Sequence, residues 1–430
     1  MPKTSNNNDS SSRQMKLVYT RSILSSAQAG AGGPFTGIFA VTLGATPEQI
    51  DLYTAVLHLA ANAFQFIWGA LSDRLGKRIP LIIIGGVASS LLWIPTLATR
   101  SVNQFLGLAW TQSFLGSMTT PTWTALIGDV VPPAARGLLV SSINFWSSAG
   151  SLAATAFAGA FSMFSSDGSL ELYQTPFLLA AALGVAASLA VLPIREARRE
   201  TRKPGSKPSV MQQLKNIRRS RDLARFLWIN ALFGFFMSIS WPLFSITLVK
   251  IVDASLFEVA LASVLQGVLA LAVQRWTGVL LDRVGRIQVL AVGRASLIIV
   301  PLVYAFSGSV PAIILFSALF SIPVTFVNTA LMAYLIDVTQ IEGRASYIAI
   351  YNAVMGGSFF FGTLTGGFLV GYLQVFVGLA LALQLVYVLS AGGRLLSGLY
   401  LRTMKEKTAY PSTMAREFKN LGKNLRGRLR

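Results

Sequence analysis

The sequence predicts an all-α membrane protein whose twelve transmembrane helices form two pseudo-symmetric halves of six. Three observations carry that expectation. Apolar runs of roughly 20 residues, the length that crosses a bilayer core of ~30 Å, recur along the chain, which is 53% hydrophobic and only 12% charged. The segment Gly69-Ala70-Leu71-Ser72-Asp73-Arg74-Leu75-Gly76-Lys77-Arg78 returns, degraded, as Gly278-Val279-Leu280-Leu281-Asp282-Arg283-Val284-Gly285-Arg286, an offset of 209 positions. Asp129 and Arg136 return 208 positions later as Asp337 and Arg344, and Asn144 and Asn352 keep that register. Third, Lys and Arg gather on alternate loops, as the positive-inside rule requires of a polytopic chain.

In chain order, residues 1–21 read as a cytoplasmic tail, and the Ser- and Asn-rich stretch 1–14 predicts disorder. The first half, 22–193, holds spans near 22–44, 51–71, 79–98, 104–128, 137–162 and 174–193. Gly33 and Gly37 give span 1 the spacing of close helix packing. The linker 194–223 contains the breaker Arg202-Lys203-Pro204-Gly205-Ser206-Lys207-Pro208. Ser209 with Gln212 then forms a capping-box pattern ahead of Val210, Leu214 and Ile217, which predicts a short helix on the cytoplasmic membrane face. The second half, 224–401, holds spans near 224–249, 256–277, 288–306, 311–336, 345–371 and 375–401, with Gly362 and Gly366 in close-packing spacing in span 11. In the tail 402–430, Met414, Phe418, Leu421, Leu425 and Leu429 make one stripe, with Arg416, Lys419, Lys423 and Arg426 around it. That pattern is either a basic amphipathic helix suited to anionic lipid or a basic tail that only reinforces topology.

The net charge is +19, and residues 194–225 and 402–430 supply 15 of it. Threading the spans from an inside amino terminus puts six loops outside. These contain only Arg100 and Lys250 as bases, against Glu48, Asp51, Asp167, Glu171, Asp253 and Glu258. The basic excess is therefore a topology signal and not a nucleic-acid surface. Runs of this length also exclude the strands of an outer-membrane barrel, which are about 10 residues long and alternating. Cysteine is absent and His58 is the sole histidine, which excludes thiolate chemistry and a histidine-built zinc site. No nucleophile–base pair lies in the spans and no phosphate-binding loop of the Gly-x-x-x-x-Gly-Lys-Ser/Thr type is present. No enzyme and no cofactor is expected. No cleavable signal peptide is apparent, so span 1 is expected to act as the insertion signal.

Twelve spans, related halves and the loop motif together resemble the major facilitator superfamily, over roughly residues 20–401. Gly69, Asp73, Arg74, Gly76, Lys77 and Arg78 match that family's Gly-x-x-x-Asp-Arg-x-Gly-Arg/Lys-Arg/Lys loop, and Gly278, Asp282, Arg283, Gly285 and Arg286 match it again, with Ile287 in place of the last base. The resemblance implies a secondary transporter working by alternating access. Asp73 would then cap span 11 and Asp282 span 5, joined by Asp129, Arg136, Asp337 and Arg344 in a cytoplasmic gating network; the competing reading is that these charges only fix loop topology or sit on the surface. A carboxylate at a helix amino terminus complements the free amides and the dipole there.

By the same resemblance, spans 1, 4, 7 and 10 line a central cavity. Gln28, Gln112, Trp241 and Asn328 are the candidate solute contacts, with Asn144 and Asn352 from spans 5 and 11; for each, interhelical packing is the competing reading. His58, in the outer part of span 2, is the candidate for proton coupling, against a neutral packing role. Arg275, Arg294 and Arg394 are expected to snorkel to the membrane surface; an anion-attracting vestibule is the competing reading. No proline falls within 137–162, where drug/proton antiporters carry a glycine-proline motif, and Pro193-Ile194-Arg195-Glu196 is a faint echo of the sugar-porter signature. The expected substrate is a small neutral or amphipathic solute, with export favoured, for a monomer in the cytoplasmic membrane of a prokaryote. The alternative is a transporter-like sensor or assembly scaffold that no longer transports.

Overall fold

The computed structural model describes residues 5–60, 64–75, 77–130, 136–163, 170–194, 221–338 and 344–404. The helix expected after Ser209 and the amphipathic tail beyond residue 404 lie outside them. Every described segment is helical or a short turn, and each of the twelve apolar runs carries a helix or a broken pair of helices. Span 1 is Ser5–Thr42; span 2 is Pro47–Leu59 with Gln65–Leu75; span 3 is Ile79–Leu91 with Trp93–Leu97; and span 4 is Val102–Gly116 with Thr119–Val130. Span 5 is Arg136–Ser162, span 6 is Gln174–Leu189 and span 7 is Arg221–Ser240, the last followed by a π turn Thr247–Ile251. Span 8 is Leu256–Val284; span 9 is Arg286–Ser296 with Ile299–Phe306; span 10 is Val310–Val338; span 11 is Arg344–Val377; and span 12 is Leu379–Leu401. Eight of these are long and apolar enough to cross a membrane by length and composition alone. Span 1 takes in most of the segment expected as a disordered tail, because no Pro or Gly stops the helix between Ser5 and Arg21.

Polar caps set several helix starts. Thr46 and Gln49 make a reciprocal box at span 2: the Thr46 amide donates to Gln49 Oε1 at 3.0 Å and the Gln49 amide to Thr46 Oγ1 at 3.4 Å. Ser255 and Glu258 repeat the device at span 8, at 2.8 and 3.2 Å.

The chain forms two compact units. The first comprises residues 1–205 and 242–265, the second 206–241 and 266–430. Within the first, Val18, Ile82, Leu126 and Ile143 share one buried cluster; within the second, Phe226, Leu290, Tyr334 and Tyr351 share another. Each residue of the second set stands 208 positions after its counterpart in the first. Close backbone approaches repeat as well. A methyl on Gly85 would press on the Leu115 carbonyl at 2.7 Å, and one on Gly293 would meet the Pro323 carbonyl at 3.4 Å, again 208 positions on. The duplication is thus visible in contacts as well as in letters. The offset falls from 209 at Gly285 to 208 at Leu290, so the second copy is one residue shorter between those two positions.

Prolines inside these helices leave carbonyls that no intrahelical amide can reach. Pro34 in span 1 frees the carbonyl of Gly30, and Thr155 Oγ1 of span 5 donates to it at 2.8 Å. Pro301 in span 9 frees the carbonyl of Leu297, which Arg394 of span 12 satisfies. In lipid no water can do this, so neighbouring side chains must.

Candidate functional site

The polar centre of the second unit is built where its helices break. Span 7 ends at Ser240, and span 9 breaks between Ser296 and Ile299. Span 12 packs against that region closely because Gly393 has no side chain; a methyl there would overlap the Phe236 ring. The next residue, Arg394, is 3% exposed. Its Nη1 donates to the Leu297 carbonyl at 2.9 Å, and its Nη2 donates to the Met237 carbonyl at 3.2 Å and to Ser240 Oγ at 2.7 Å. Ser390, one turn earlier, donates to the Phe236 carbonyl at 2.6 Å and lies 3.0 Å from Ser240 Oγ. One guanidinium therefore fastens spans 7, 9 and 12 through acceptors exposed by their breaks.

Arg294 of span 9 is 1% exposed. Its Nη2 donates to Asn230 Oδ1 of span 7, its guanidinium lies over the Phe233 ring with the carbon 4.4 Å from the centroid, and Tyr351 of span 11 is its electrostatic neighbour. Arg294 and Arg394 thus do not snorkel: both turn into the bundle, where backbone oxygens, an amide and an aromatic face replace the headgroup region. The Arg275 side chain is outside the described residues. In the first unit Arg21 is also buried, 4.1 Å from the centroid of Trp123.

At the motif end of the second unit, Arg286 Nε lies 3.1 Å from Asp337 Oδ2 and its Nη2 3.6 Å from Asp282 Oδ1. Gly285, at φ 102°, turns the chain into span 9 and points Arg286 at both carboxylates. Arg283 and Gly278 are exposed. The structure thus brings three of the expected gating residues together, Asp282, Arg286 and Asp337, across a chain separation no sequence motif displays. In the first copy Lys77 is exposed and Arg78 is buried. The side chains of Asp73, Arg74, Asp129, Arg136 and Arg344, and the surroundings of Gly69 and Gly76, are outside the described residues.

Among the candidate solute contacts, Gln28 turns inward, donating through Nε2 to Ser90 Oγ of span 3 at 3.1 Å and lying against Gly184 of span 6. Gln112 is half-buried. Asn144, Asn328 and Asn352 are exposed, and Trp241, at the break in span 7, is 55% exposed. His58 is half-buried and engaged with a neighbour. Asp51, counted from sequence among the outer loop charges, is fully buried in the first helix of span 2. Sequence reasoning missed the inward-turned arginines, although Pro301, four residues after Leu297, was a signal that a donor must arrive from another helix.

A profile of the Major Facilitator Superfamily matches residues 22–307 and 226–423. A multi-drug resistance efflux pump, PmrA, of Streptococcus pneumoniae is 25% identical over 142 residues, 32% of this chain. The match spans about a third, 35%, of that relative's length. Among solved structures, the nucleoside transporter NupG superposes with a TM-score of 0.72 at 14% identity, over 91% of this chain and 98% of that one. An auto-inhibited peptide transporter of the POT family gives 0.72 at 12%, over 93% and 99%. A D-xylose-proton symporter gives 0.65 at 16%, over 93% and 99%. At these identities the likeness is one of fold.

Proposed function

The chain belongs to the major facilitator superfamily, and from that premise we propose that it moves a small neutral or amphipathic solute by alternating access, with export favoured over uptake. It is a multi-pass membrane transporter and not an enzyme; the solute, the direction and the cycle are the proposal. The observation that carries it is the repeat in three dimensions, with equivalent cores around Ile143 and Tyr351 and equivalent close contacts at Gly85 and Gly293. Two copies of one bundle are the geometry from which rocking around a central site is built.

Small residues supply contacts that such a cycle can make and break. Within the first unit, Ser245 Oγ sits where a side chain on Gly37 would be, and Ala260 packs directly on Gly159. Asp282, Arg286 and Asp337, with the first-copy charges Asp73, Asp129 and Arg136, are the proposed gate. Asn328, Asn352, Asn144 and Trp241, whose side chains are open, are the proposed solute contacts, with Gln112; Gln28 is the weakest of the set because its amide is already engaged. The partial match to a multi-drug resistance efflux pump supports export. A monomer in a prokaryotic cytoplasmic membrane, with both termini inside and basic segments on anionic lipid, completes the reading.

The test is transport by purified protein in sealed vesicles, with a panel of amphipathic dyes and neutral solutes. Counterflow of at least one solute, faster toward the side opposite the basic linker, is expected. Protein that inserts and stays folded but moves nothing across the panel would leave the sensor or scaffold reading in its place.

A further inference from the structure

Two arginines are sealed inside the second unit; the Nε of each lacks an acceptor among the described residues, and they differ at Nη. Arg394 spends its Nη donors on two carbonyls and a hydroxyl, and those acceptors exist because helices break beside it. Its place is explained by the scaffold. Arg294 has one hydrogen-bond acceptor, the side-chain oxygen of Asn230. Among the described residues, its Nε and Nη1 have no acceptor, although both are fully buried. An unpaired charge within a membrane bundle is costly, by several kcal/mol.

The internal repeat shows that the scaffold does not require a cation at this position, although the first unit buries Arg21, next to the counterpart of Asn230, over Trp123. The counterpart of Arg294, 208 positions earlier, is Gly86. The counterparts of Asn230 and Tyr351 are Ser22 and Ile143. There the same packing closes with no side chain at all, the hydroxyl of Ser188 occupying the place where one would begin. The charge, the amide oxygen beside it and the phenol therefore occur together in one half only.

From this we propose that Arg294 is the anion-recognition residue of the transporter, and that the solute is an amphipathic carboxylic acid whose carboxylate is taken by the free Arg294 donors in a state of the cycle in which the core around Phe233 and Tyr351, closed here, opens to it. The guanidinium is the side chain best suited to carboxylate, with several donors in a fixed plane. With no carboxylate paired to it among the described residues, the cation favours an anion that brings its own charge, and the rings beside it favour an apolar body. Asn230 is a positioning residue: its oxygen holds Nη2, which fixes the guanidinium plane. The inference rests on the transport reading only for the word solute; the binding site is defined by the residues alone.

The experiment is a thermal-unfolding titration of the full-length protein in a neutral detergent, comparing benzoate with its neutral isostere benzamide and octanoate with octanamide. Stabilisation by the acids and not by the amides is expected. Arg294→Gln should weaken the apparent affinity by roughly tenfold or more, the size of a lost charge-assisted hydrogen bond, and Arg294→Lys by less. Arg394→Lys should lower the unfolding midpoint while keeping the response to the acids. Asn230→Asp covers the case in which Arg294→Gln fails to fold: it places a carboxylate on the guanidinium from within, and should raise the midpoint and abolish the acid response.

Equal responses to acids and amides, no response to either, or an acid response that survives Asn230→Asp would overturn the assignment. A parallel arm in nanodiscs with and without phosphatidylglycerol separates the sources of anion. Arg294-dependent stabilisation by the lipid, with none by the soluble acids, would assign the site to a headgroup and overturn the solute assignment. Arg294-dependent binding in a protein that moves no acid across vesicles would refute the transport reading and leave the site standing.

Discussion

At the scale of single residues, the second unit is governed by where its arginines find acceptors. Arg394 closes carbonyls that would otherwise face hydrocarbon or a neighbouring side chain. Replacing it with Met leaves the Leu297 carbonyl unsatisfied, which costs about 1–3 kcal/mol. A clear fall in the thermal midpoint of Arg394→Met is expected, with partial recovery in Arg394→Lys, whose ammonium reaches fewer acceptors. His58 is half-buried and already engaged, so His58→Gln is expected to keep most transport and to alter its pH dependence little; vesicles with an imposed pH gradient check this, and loss of gradient-driven uptake in that variant alone would make His58 the proton site. Asp73→Asn is expected to loosen the gate. A carboxylate on a helix amino terminus is worth about 0.3–2 kcal/mol, enough to shift a balanced equilibrium several-fold. Distances between spin labels at the motif ends of the two halves would register that shift, and unchanged distances would reduce Asp73 to a topology charge. The inward turn of Arg294 and Arg394 was not read beforehand, because hydropathy reports that a charge sits near a span end and not whether it turns out or in.

At the scale of the helix, existence was legible and interruption was not. Each apolar run became a helix or a broken pair of helices, and eight are long and apolar enough to cross a membrane, since some 20 apolar residues placed in lipid permit little else. The break in span 9 does not show in an average over the run; it lies where Pro301 leaves the Leu297 carbonyl to Arg394. The family resemblance placed Gln28, as a polar residue of span 1, among the cavity candidates, yet Ser90 and Gly184 draw it inward, a competition between polar partners that one strand of sequence does not reveal. Thr155 illustrates the same economy at a prolyl site. Its hydroxyl serves the Gly30 carbonyl freed by Pro34 and lies 3.0 Å from the Ser151 carbonyl of its own helix. Thr155→Val keeps the shape and removes the donor, and should destabilise by about 1 kcal/mol. Combining it with Pro34→Ala, which returns an amide to Gly30, should remove most of that penalty; an additive loss measured by thermal unfolding would refute the link between the two residues.

At the scale of the whole molecule, the duplication was the most reliable message in the sequence. It gave the fold class, the family resemblance and the gating motif together, and the equivalent clusters around Ile82 and Leu290 repeat it in space. What it concealed was asymmetry. Arg294 stands over a glycine of the other half, and the second copy is one residue shorter between Gly285 and Leu290, both of which look like noise when the halves are aligned for their likeness. Topology is the prediction that belongs here. The chain has no cysteine, so Asp167→Cys and Gly205→Cys are each unique labels. Membrane-impermeant reagent on intact cells should modify position 167 and spare 205; the opposite pattern would refute the twelve-span order.

The carbonyls freed by proline also impose a schedule on synthesis. Gly30 waits for Thr155, 125 residues later, and Leu297 waits for Arg394, 97 residues later. At ~5–20 residues per second those intervals last from roughly 5 to 25 s. Through that time spans 1 and 9 each carry an open polar group, and neither can be released into pure lipid without cost. Both are expected to linger beside the insertion machinery until their partners emerge. A ribosome stalled before residue 394 would therefore leave span 9 cross-linkable to the translocation channel, and synthesis of the last helix would set it free.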